Sequence, residues 1–328
     1  MKVLIVRLSS LGDVVHAMPA VQDIRAAHPE AVIDWVVEPA FAPLVRRVAG
    51  VRRVVEAPMQ RWRRAWWSGA TRAEWRAFKA QLRQESYDAV IDLQGVLGSA
   101  LAARQARGTR FGLANRTEGE AYEPLAGWLA DRAIRVAPRI HAVDRARVLA
   151  GAALGRAPEG PPKYGLNPKQ RLFKTASPTV AFAHGASHDE RLWPVEHWIQ
   201  LGKRVIEAGW RIALPQGNEM EQTRAELIAA GLQYEKAFHV EVWPTMALDA
   251  ALDRLALTQG VIGVDGGLSH LAVALDLPHV QLYNAPSAWR TGPQAGGQGH
   301  RHQVALEGRP PAVQAAWLAW SNVLVAAS

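Results

Sequence analysis

Short apolar segments alternate with longer amphipathic segments along most of this 328-residue chain, and this alternation constrains its fold more than any other feature. Strands that alternate with helices form parallel sheets, because a helix must return the chain to the start of the next strand. The sequence therefore predicts an α/β protein with doubly wound sheets. The predicted strands span residues 2–7, 32–37, 52–56, 88–93 and 132–136, then 179–183, 211–214, 237–241, 260–264 and 279–283. The predicted helices include 72–86, 195–208, 221–231 and the apolar segment 311–327.

One segment rich in proline and glycine interrupts the alternation. Residues 157–170, APEGPPKYGLNPKQ, have no periodicity, which is typical of a linker. Ligands of doubly wound sheets bind beyond the carboxyl ends of the strands, so functional residues are expected at strand-to-helix junctions. The predicted organisation is a Rossmann-like domain at 1–160, a linker at 161–175, a second Rossmann-like domain at 176–310 and a C-terminal segment at 311–328.

The charge and residue composition limit the class of protein. A net charge of +8 and a pI of about 10.1 favour anionic partners, such as a nucleotide, a nucleic acid or an acidic membrane surface. The absence of cysteine excludes a disulfide scaffold, a thiolate nucleophile and a cysteine-based metal site. The N-terminus does not resemble a signal peptide, and no apolar run approaches the ~20 residues of a membrane span. These features predict a cytoplasmic protein.

The first strand-to-helix junction, VRLSSLGDVVHAMPAV at 6–21, places Asp13 on the first turn of a helix. Ser9 or Ser10 can cap this helix, and Gly12 can allow a tight turn. A carboxylate at this position interacts favourably with the helix dipole and stabilises the helix by about 0.3–1 kcal/mol. The pattern alone favours this structural role for Asp13. The dipole also keeps the carboxylate ionised, so that it can accept a proton. The GxGxxG fingerprint is absent, which argues against a dinucleotide-dependent dehydrogenase.

Two further junctions in the first half carry polar or aromatic residues. DLQGVLGSA at 92–100 follows a strand, and its Gln94 belongs either to a polar strand end or to a ligand-facing loop. QRWRRAWW at 60–67 interleaves three arginines with three tryptophans. This segment can be a solvated face, a nucleic-acid strip, a membrane-surface patch or an anion site with sugar-stacking rings. Exposed tryptophan is costly, so the pattern favours binding.

Two junctions in the second half are suited to anions. HGASHDERLWPVEHW at 184–198 supplies Ser187 and Arg191, although Arg191 can also form a local pair with Asp189. The spacing of the three histidines in this segment does not match a metal motif. In VDGGLSHLAVALDLP at 264–278, a strand ends at Asp265 and a helix follows two glycines. Free N–H groups at a helix start can bind pyrophosphate, and a glycine turn before an ordinary helix is the alternative.

These segments together resemble the lipopolysaccharide heptosyltransferases. SSLGDVVHAMPAV, DWVVE, RWRRAW, YDAVIDLQG, RLWPVEHW, LPQG and VDGGLSHLAVALD occur in family order over nearly the whole chain. The resemblance implies a GT-B fold, in which two Rossmann-like domains face each other across a cleft and the C-terminal helix returns to the first. It also implies inverting transfer of L-glycero-D-manno-heptose from ADP-heptose to the Kdo residue of Kdo-lipid A. The enzyme would then be peripheral at the cytoplasmic side of the inner membrane.

The resemblance also implies a role for individual residues. Asp13 would be the general base. ADP-heptose would be a substrate, with no cofactor and no fixed metal, since the chain has no DxD motif. The implied donor-binding residues are Ser187, Arg191, Glu221, Met246, Asp265, Gly266, Gly267 and His270. The implied acceptor-binding residues are Ser10, Gly12, Arg61, Arg63, Arg64 and Gln94.

Four positions depart from the family pattern. Arg191 stands where lysine is usual, Gly266 where threonine or serine is usual, Ala186 where threonine is frequent, and Gly98 where close relatives have a basic residue. Three alternatives to this function remain open at this point. They are a related heptosyltransferase with a different core acceptor, a nucleotide-sugar binder without activity, and a basic nucleic-acid-binding module.

Overall fold

The computed structural model describes residues 1–169, 178–232, 239–294 and 302–327. The chain divides into two compact units, Met1–Asn167 and Pro168–Ser328, and each unit contains a six-stranded sheet. The division falls within the predicted linker at 161–175. The last part of that linker and the first two residues of the predicted strand at 237–241 lie outside the described residues.

The first unit is built around a parallel sheet in the order β3-β2-β1-β4-β5-β6. The direction of winding reverses between β1 and β4, so the loops that follow these two strands leave toward opposite faces and create a crevice. The strands are β1 (Lys2–Val6), β2 (Val32–Val37), β3 (Val51–Glu56), β4 (Ser86–Asp92), β5 (Arg107–Leu113) and β6 (Arg132–Ile134). The helices are α1 (Leu11–Ala27), α2 (Ala42–Val45), α3 (Met59–Arg64), α4 (Gly69–Leu82), α5 (Leu97–Ala103), α6 (Pro124–Trp128) and α7 (Ala142–Leu154).

The second unit repeats this topology in a parallel sheet of order β12-β11-β10-β7-β8-β9. Its winding reverses between β7 and β10, which is the equivalent position. The strands are β7 (Thr179–Ala183), β8 (Arg211–Leu214), β9 (Val240–Val242), β10 (Gly260–Val264), β11 (His279–Tyr283) and β12 (Gln303–Glu307). The helices are α8 (Val195–Glu207), α9 (Glu219–Leu232), α10 (Leu248–Leu255), α11 (Gly267–Ala274), α12 (Ala288–Thr291) and α13 (Val313–Ala327).

The predicted fold class, an α/β protein with two doubly wound parallel sheets, is confirmed. Two strands, β5 and β12, are not among those predicted from the sequence. The sequence of β5, RGTRFGL, contains two glycines and two arginines, and its first residues are exposed. β12 is an edge strand of its sheet and has only one buried position, Gln303. Neither strand therefore carries the continuous apolar run that identifies the central strands.

The C-terminal helix α13 is part of the second unit. It packs against α8, β11 and β12, and Val313, Ala316, Trp320 and Val323 join the hydrophobic core of that unit. The apolar face of this helix is therefore buried against the second sheet, and packing of the same helix on the first domain stays a prediction. None of the described helices is both long enough and apolar enough to cross a bilayer.

Replacement of Trp320 tests the attachment of α13. The side chain is fully buried, and its ring centroid lies 5.4 Å from that of Trp210. We expect Trp320→Ala to lower the free energy of unfolding by about 3–5 kcal/mol, because it leaves a large cavity in the core. Leu318, 52% exposed on the same helix, is the control, and Leu318→Ala is expected to change little. Urea denaturation of both variants measures the effect, and equal midpoints would contradict the assigned packing.

Candidate active site

The loops that follow β1 and β4 meet at the reversal point of the first sheet. The backbone N–H of Leu8 donates to Gln94 Oε1 at 2.9 Å, and Arg7 Nη1 donates to the carbonyl oxygen of Leu93 at 2.7 Å. Two junctions that lie more than eighty residues apart in the sequence thus form one site. Gln94, predicted as an acceptor residue, is held here by the backbone of the first loop.

Asp13 lies on the first turn of α1, directly beside Arg7. Arg7 Nη2 is 2.9 Å from Asp13 Oδ1, while the backbone N–H and the hydroxyl of Ser10 donate to Oδ2 at 2.9 and 3.1 Å. The Asp13 side chain remains 28% exposed, so a ligand can reach it. Because the helix begins at Leu11, Gly12 lies within its first turn and not in the preceding loop.

The surroundings of Asp13 keep its carboxylate ionised. Burial raises the pKa of this group, but the charge of Arg7 and the two hydrogen bonds from Ser10 lower it by more. The resulting pKa of Asp13 lies below its ordinary value. At neutral pH this side chain is therefore a fixed anion that can accept a proton or attract a cationic centre.

A second layer of buried charge lies behind Asp13. Arg7 Nη2 is 3.7 Å from Glu120 Oε2, and Arg145 Nη1 is 3.9 Å from the same oxygen. Burial and repulsion from Arg7 lower the pKa of Arg145 to about 10. None of these three residues was predicted from the sequence. Arg7 gave a hint, because it ends the first apolar strand, whereas Glu120 and Arg145 come from distant segments that carry no recognisable motif.

A groove of about 1150 Å³ opens at the same edge of the first sheet. Its lining includes Gln94 and the predicted acceptor residues Arg63 and Arg64, together with further basic and apolar side chains of α4 and α5. Arg61 is not part of this lining, because both of its terminal nitrogens bind Glu74, at 3.0 and 2.6 Å. The groove thus combines positive charge with apolar surface, which is suited to an amphiphilic anion.

The three tryptophans of the segment at 60–67 do not share one role. Trp62 is buried, donates to Glu74 at 2.7 Å and packs against the rings of Trp75 and Phe78. Trp66 and Trp67 are 69% and 64% exposed. The sequence correctly identified the segment as unusual, but the alternation of arginine and tryptophan did not indicate which ring belongs to the core.

Asp265 is the centre of a buried cluster at the reversal point of the second sheet. Its carboxylate lies 3.3 Å from Arg191 Nη1 and 3.3 Å from His270 Nε2, and Thr291 Oγ1 donates to it at 3.1 Å. Arg290 adds a second guanidinium at 3.9 Å. The fold therefore brings three predicted donor residues together. Arg290 and Thr291 join them, although neither was predicted from the sequence.

This cluster holds Asp265 as an anion. Burial raises the pKa of the group, but the hydrogen bond and charge of His270, followed by the charges of Arg191 and Arg290, lower it to about 2. Arg191 is 32% exposed, so its guanidinium can reach a ligand while it contacts Asp265. The carboxylate thus positions cationic side chains beside the N-terminus of α11.

Close backbone approach explains the glycine at position 266. A Cβ atom there would lie 2.4 Å from the carbonyl oxygen of Gly185, so the loops after β7 and β10 touch. A Cβ on Gly185 would in turn lie 2.5 Å from Glu221 Oε1. The absence of a side chain at Gly266 therefore follows from local geometry, since a threonine or serine would require these loops to separate. Gly267 is the first residue of α11.

The remaining predicted donor residues belong to α9 and to two loops of the second unit. Glu221 Oε2 accepts the backbone N–H of Gly217 at 2.8 Å, and Gln216 binds Thr245, next to the half-buried Met246. Ser187 is exposed in the loop after β7. Among the described residues, no three His, Asp or Glu side chains gather in a metal-binding arrangement.

The two Rossmann-order sheets, with their polar residues at the reversal points, define an α/β enzyme of the GT-B glycosyltransferase type. The family model described as glycosyltransferase family 9 (heptosyltransferase) matches residues 75–307. Lipopolysaccharide heptosyltransferase 1 of Escherichia coli (strain K12) is 41% identical over 290 residues, which cover 86% of this chain and 88% of that protein. This chain therefore belongs to the heptosyltransferases of glycosyltransferase family 9.

Solved structures of an E. coli heptosyltransferase are similar to this chain over nearly its whole length. The structure of E. coli heptosyltransferase WaaC with ADP has a TM-score of 0.84 and 35% sequence identity, and the match covers 99% of this chain and 100% of that one. The structure of the same enzyme with ADP-2-deoxy-2-fluoro heptose has a TM-score of 0.78 and 36% identity, and covers 99% and 98%. Lipopolysaccharide heptosyltransferase 2 of E. coli is only 28% identical, over 88% of this chain and 84% of that protein.

Substitutions at two glycines test the close approach of the loops. We expect Gly266→Ala to lower the free energy of unfolding by about 1–3 kcal/mol, because the new methyl group collides with the Gly185 carbonyl. Gly98 of α5 is the matched control, since a Cβ there would have no heavy atom within 4 Å. Gly98→Ala is expected to leave stability unchanged or to raise it by up to about 1 kcal/mol. Equal denaturation midpoints for the two variants would show that position 266 is not crowded.

Proposed function

We propose that this protein is a heptosyltransferase I, which transfers L-glycero-D-manno-heptose from ADP-heptose to a Kdo hydroxyl of Kdo-lipid A. In this reaction, the acceptor oxygen forms a bond to the anomeric carbon of heptose. The bond between that carbon and the β-phosphate oxygen breaks, and its electron pair leaves with ADP. The acceptor proton passes to Asp13. A single displacement of this kind inverts the anomeric configuration.

The ionised carboxylate of Asp13 is the observation that carries this proposal. It is accessible, it lies at the reversal point of the first sheet, and Arg7 and Ser10 keep it deprotonated. A base must be free of its proton before it can remove one from the acceptor. The same hydrogen bonds fix the direction of the carboxylate, so that one oxygen faces Arg7 and the other faces Ser10. The ionised state and the accessibility of Asp13 support its proposed role as the general base.

The second unit is proposed to bind ADP-heptose. The N–H groups of Gly266 and Gly267, with Arg191, Ser187 and His270, would hold the pyrophosphate and stabilise the charge that develops on it as ADP leaves. The buried Asp265 keeps Arg191 and His270 in place, and it is also the residue we assign to the heptose. Glu221 is assigned to the ribose and Met246 to the adenine.

The groove of the first unit is proposed to bind the acceptor. Arg63 and Arg64 would meet the carboxylates of Kdo and the phosphates of lipid A, since guanidinium groups bind both anions in a bidentate manner. Ser10, Gly12 and Gln94 would contact the sugar near Asp13. Arg61 would act mainly through its pair with Glu74, which fixes α3 against α4.

Two observations favour the first heptose over a later one. The identity to heptosyltransferase 1 of E. coli, 41%, exceeds the 28% identity to heptosyltransferase 2. The segment RWRRAW at 61–66 also places arginines in the groove, where an acceptor with several negative charges is expected. The corresponding location is the cytoplasmic face of the inner membrane, where a lipid-anchored acceptor is available.

A transfer assay with purified protein, ADP-heptose and Kdo-lipid A tests the proposal, with and without a chelator. We expect Asp13→Asn to lower kcat by about 10²–10⁴-fold, because the general base is lost, while ADP binds with unchanged affinity in calorimetry. The control is Asp249→Asn, which removes another carboxylate from the first turn of a helix. If Asp13 only complements the dipole of its helix, the two variants will lose equally little activity. Activity lost with chelator would indicate a metal requirement.

The pH dependence of transfer tests the role of Arg7. The folded-state pKa of Asp13 is lowered, so the active, ionised form persists as the pH falls and is lost only when the pH passes through that pKa. Arg7→Met removes the charge that opposes the effect of burial, so we expect the acid limb of kcat/KM to move to higher pH. Arg7→Lys keeps the charge and should shift the limb less. The Leu93 carbonyl retains its hydrogen bond from Arg145 in both variants. An acid limb that does not move in Arg7→Met would rule out this coupling.

A further inference from the structure

Three tryptophans of the first unit are unusually exposed. Trp66, Trp67 and Trp128 are 69%, 64% and 83% exposed, whereas Trp35 and Trp193 are completely buried. Leu125, next to Trp128 on α6, is 55% exposed. Large apolar side chains in contact with water are costly when they cluster, and such clusters mark surfaces that bind a partner. We call Trp66, Trp67, Leu125 and Trp128 the tryptophan rim.

All four residues of the tryptophan rim follow the carboxyl ends of strands of the first sheet. Trp66 and Trp67 follow α3, which comes after the carboxyl end of β3, and α6 comes after the carboxyl end of β5. In a parallel sheet the carboxyl ends of all strands lie on the same side. Three strands, β2, β1 and β4, lie between β3 and β5, so the two parts of the rim share this side but are separated from each other. α6 also packs on α5, whose Leu97 and Leu101 line the groove. The rim therefore flanks the groove.

Unpaired positive charge accompanies the tryptophan rim. Arg63, Arg64, Arg72 and Arg76 are exposed and line the same groove. Within the described part of the chain, none of these four guanidinium groups forms an ion pair with a carboxylate. Arg61, the exposed neighbour that does form one, is bound to Glu74. The surface between the two ends of the rim thus presents arginines and apolar rings toward solvent.

We propose that the tryptophan rim inserts into the headgroup region of an anionic phospholipid bilayer. Tryptophan favours this region, because its ring is largely apolar and its N–H can bind headgroup oxygens. Arg72 and Arg76, which the proposed function does not assign to the acceptor, would meet lipid phosphates, and the charge complementarity favours a bilayer over a protein partner. This inference rests on the proposed function, since a lipid-anchored acceptor must be taken from a membrane surface. The rim would set the mouth of the groove against that surface.

Co-sedimentation with vesicles of phosphatidylglycerol and phosphatidylethanolamine tests the inference with the full chain. We expect binding that weakens as salt is raised and that is absent with phosphatidylcholine vesicles. The double variant Trp67→Ser and Trp128→Ser should bind roughly tenfold or more weakly, because two apolar rings no longer enter the bilayer. Neither residue lines the groove. The control is Met220→Ser with Leu227→Ser, which removes two exposed apolar side chains, 79% and 55% exposed, from α9 of the second unit.

Enzyme kinetics with two forms of the acceptor separate membrane docking from acceptor binding. We expect the Trp67/Trp128 double variant to transfer heptose at the parental rate to a water-soluble acceptor without acyl chains. With Kdo-lipid A in vesicles, its rate should fall in proportion to the bound fraction. Absence of transfer by the parent protein would refute the proposed function, whatever the vesicle result.

Two outcomes would overturn the inference itself. The first is a double variant that binds anionic vesicles as tightly as the parent and the α9 control. The second is self-association of the parent that disappears in the double variant, measured by analytical ultracentrifugation without lipid. That second result would make the tryptophan rim an interface between two copies of this chain.

Discussion

The guanidinium of Arg7 connects the ends of two neighbouring strands and sets the charge of the group between them. It donates to the Leu93 carbonyl beyond β4 and pairs with Asp13 on α1. A buried guanidinium with few partners would be strongly destabilising, so the surrounding carboxylates and carbonyl groups are a requirement of the fold. Because Arg7 contacts both segments, it holds the first turn of α1 next to the loop at Gln94. Its charge also keeps the carboxylate of Asp13 ionised.

At the equivalent position of the second unit, the main constraint is the close packing of two backbone loops. The loops after β7 and β10 approach so closely that a Cβ atom at Gly266 would lie 2.4 Å from the carbonyl oxygen of Gly185. This approach leaves no space between the two loops for a hydroxyl-bearing side chain at position 266, which the family resemblance leads us to expect. Arg191 and Arg290 supply positive charge beside Asp265, and His270 Nε2 lies 3.3 Å from the same carboxylate. The departure from the family pattern thus has a steric cause.

Many residues of the candidate site could be predicted from the sequence, because they belong to short local patterns. Asp13, Gly266 and His270 lie at strand-to-helix junctions, where glycine, a capping residue and an apolar helix identify both the structure and the carboxyl edge of the sheet. Arg191 was found in the same way, as the cation of a short junction. β5 was missed, since its glycines and arginines hide it, although it carries the loop that leads to Glu120.

The sequence by itself determined two parallel sheets, the junctions that carry chemistry, and the family to which they belong. Strand periodicity, glycine turns and first-turn helix residues act over a few residues, so they can be recognised from the order of amino acids alone. Only the tertiary structure decided that Arg7, Arg145 and Glu120 control the surroundings of Asp13, that Arg61 is bound to Glu74, and that α13 belongs to the second unit. These are contacts between distant segments, whose partners are chosen by packing and by the need to neutralise buried charge.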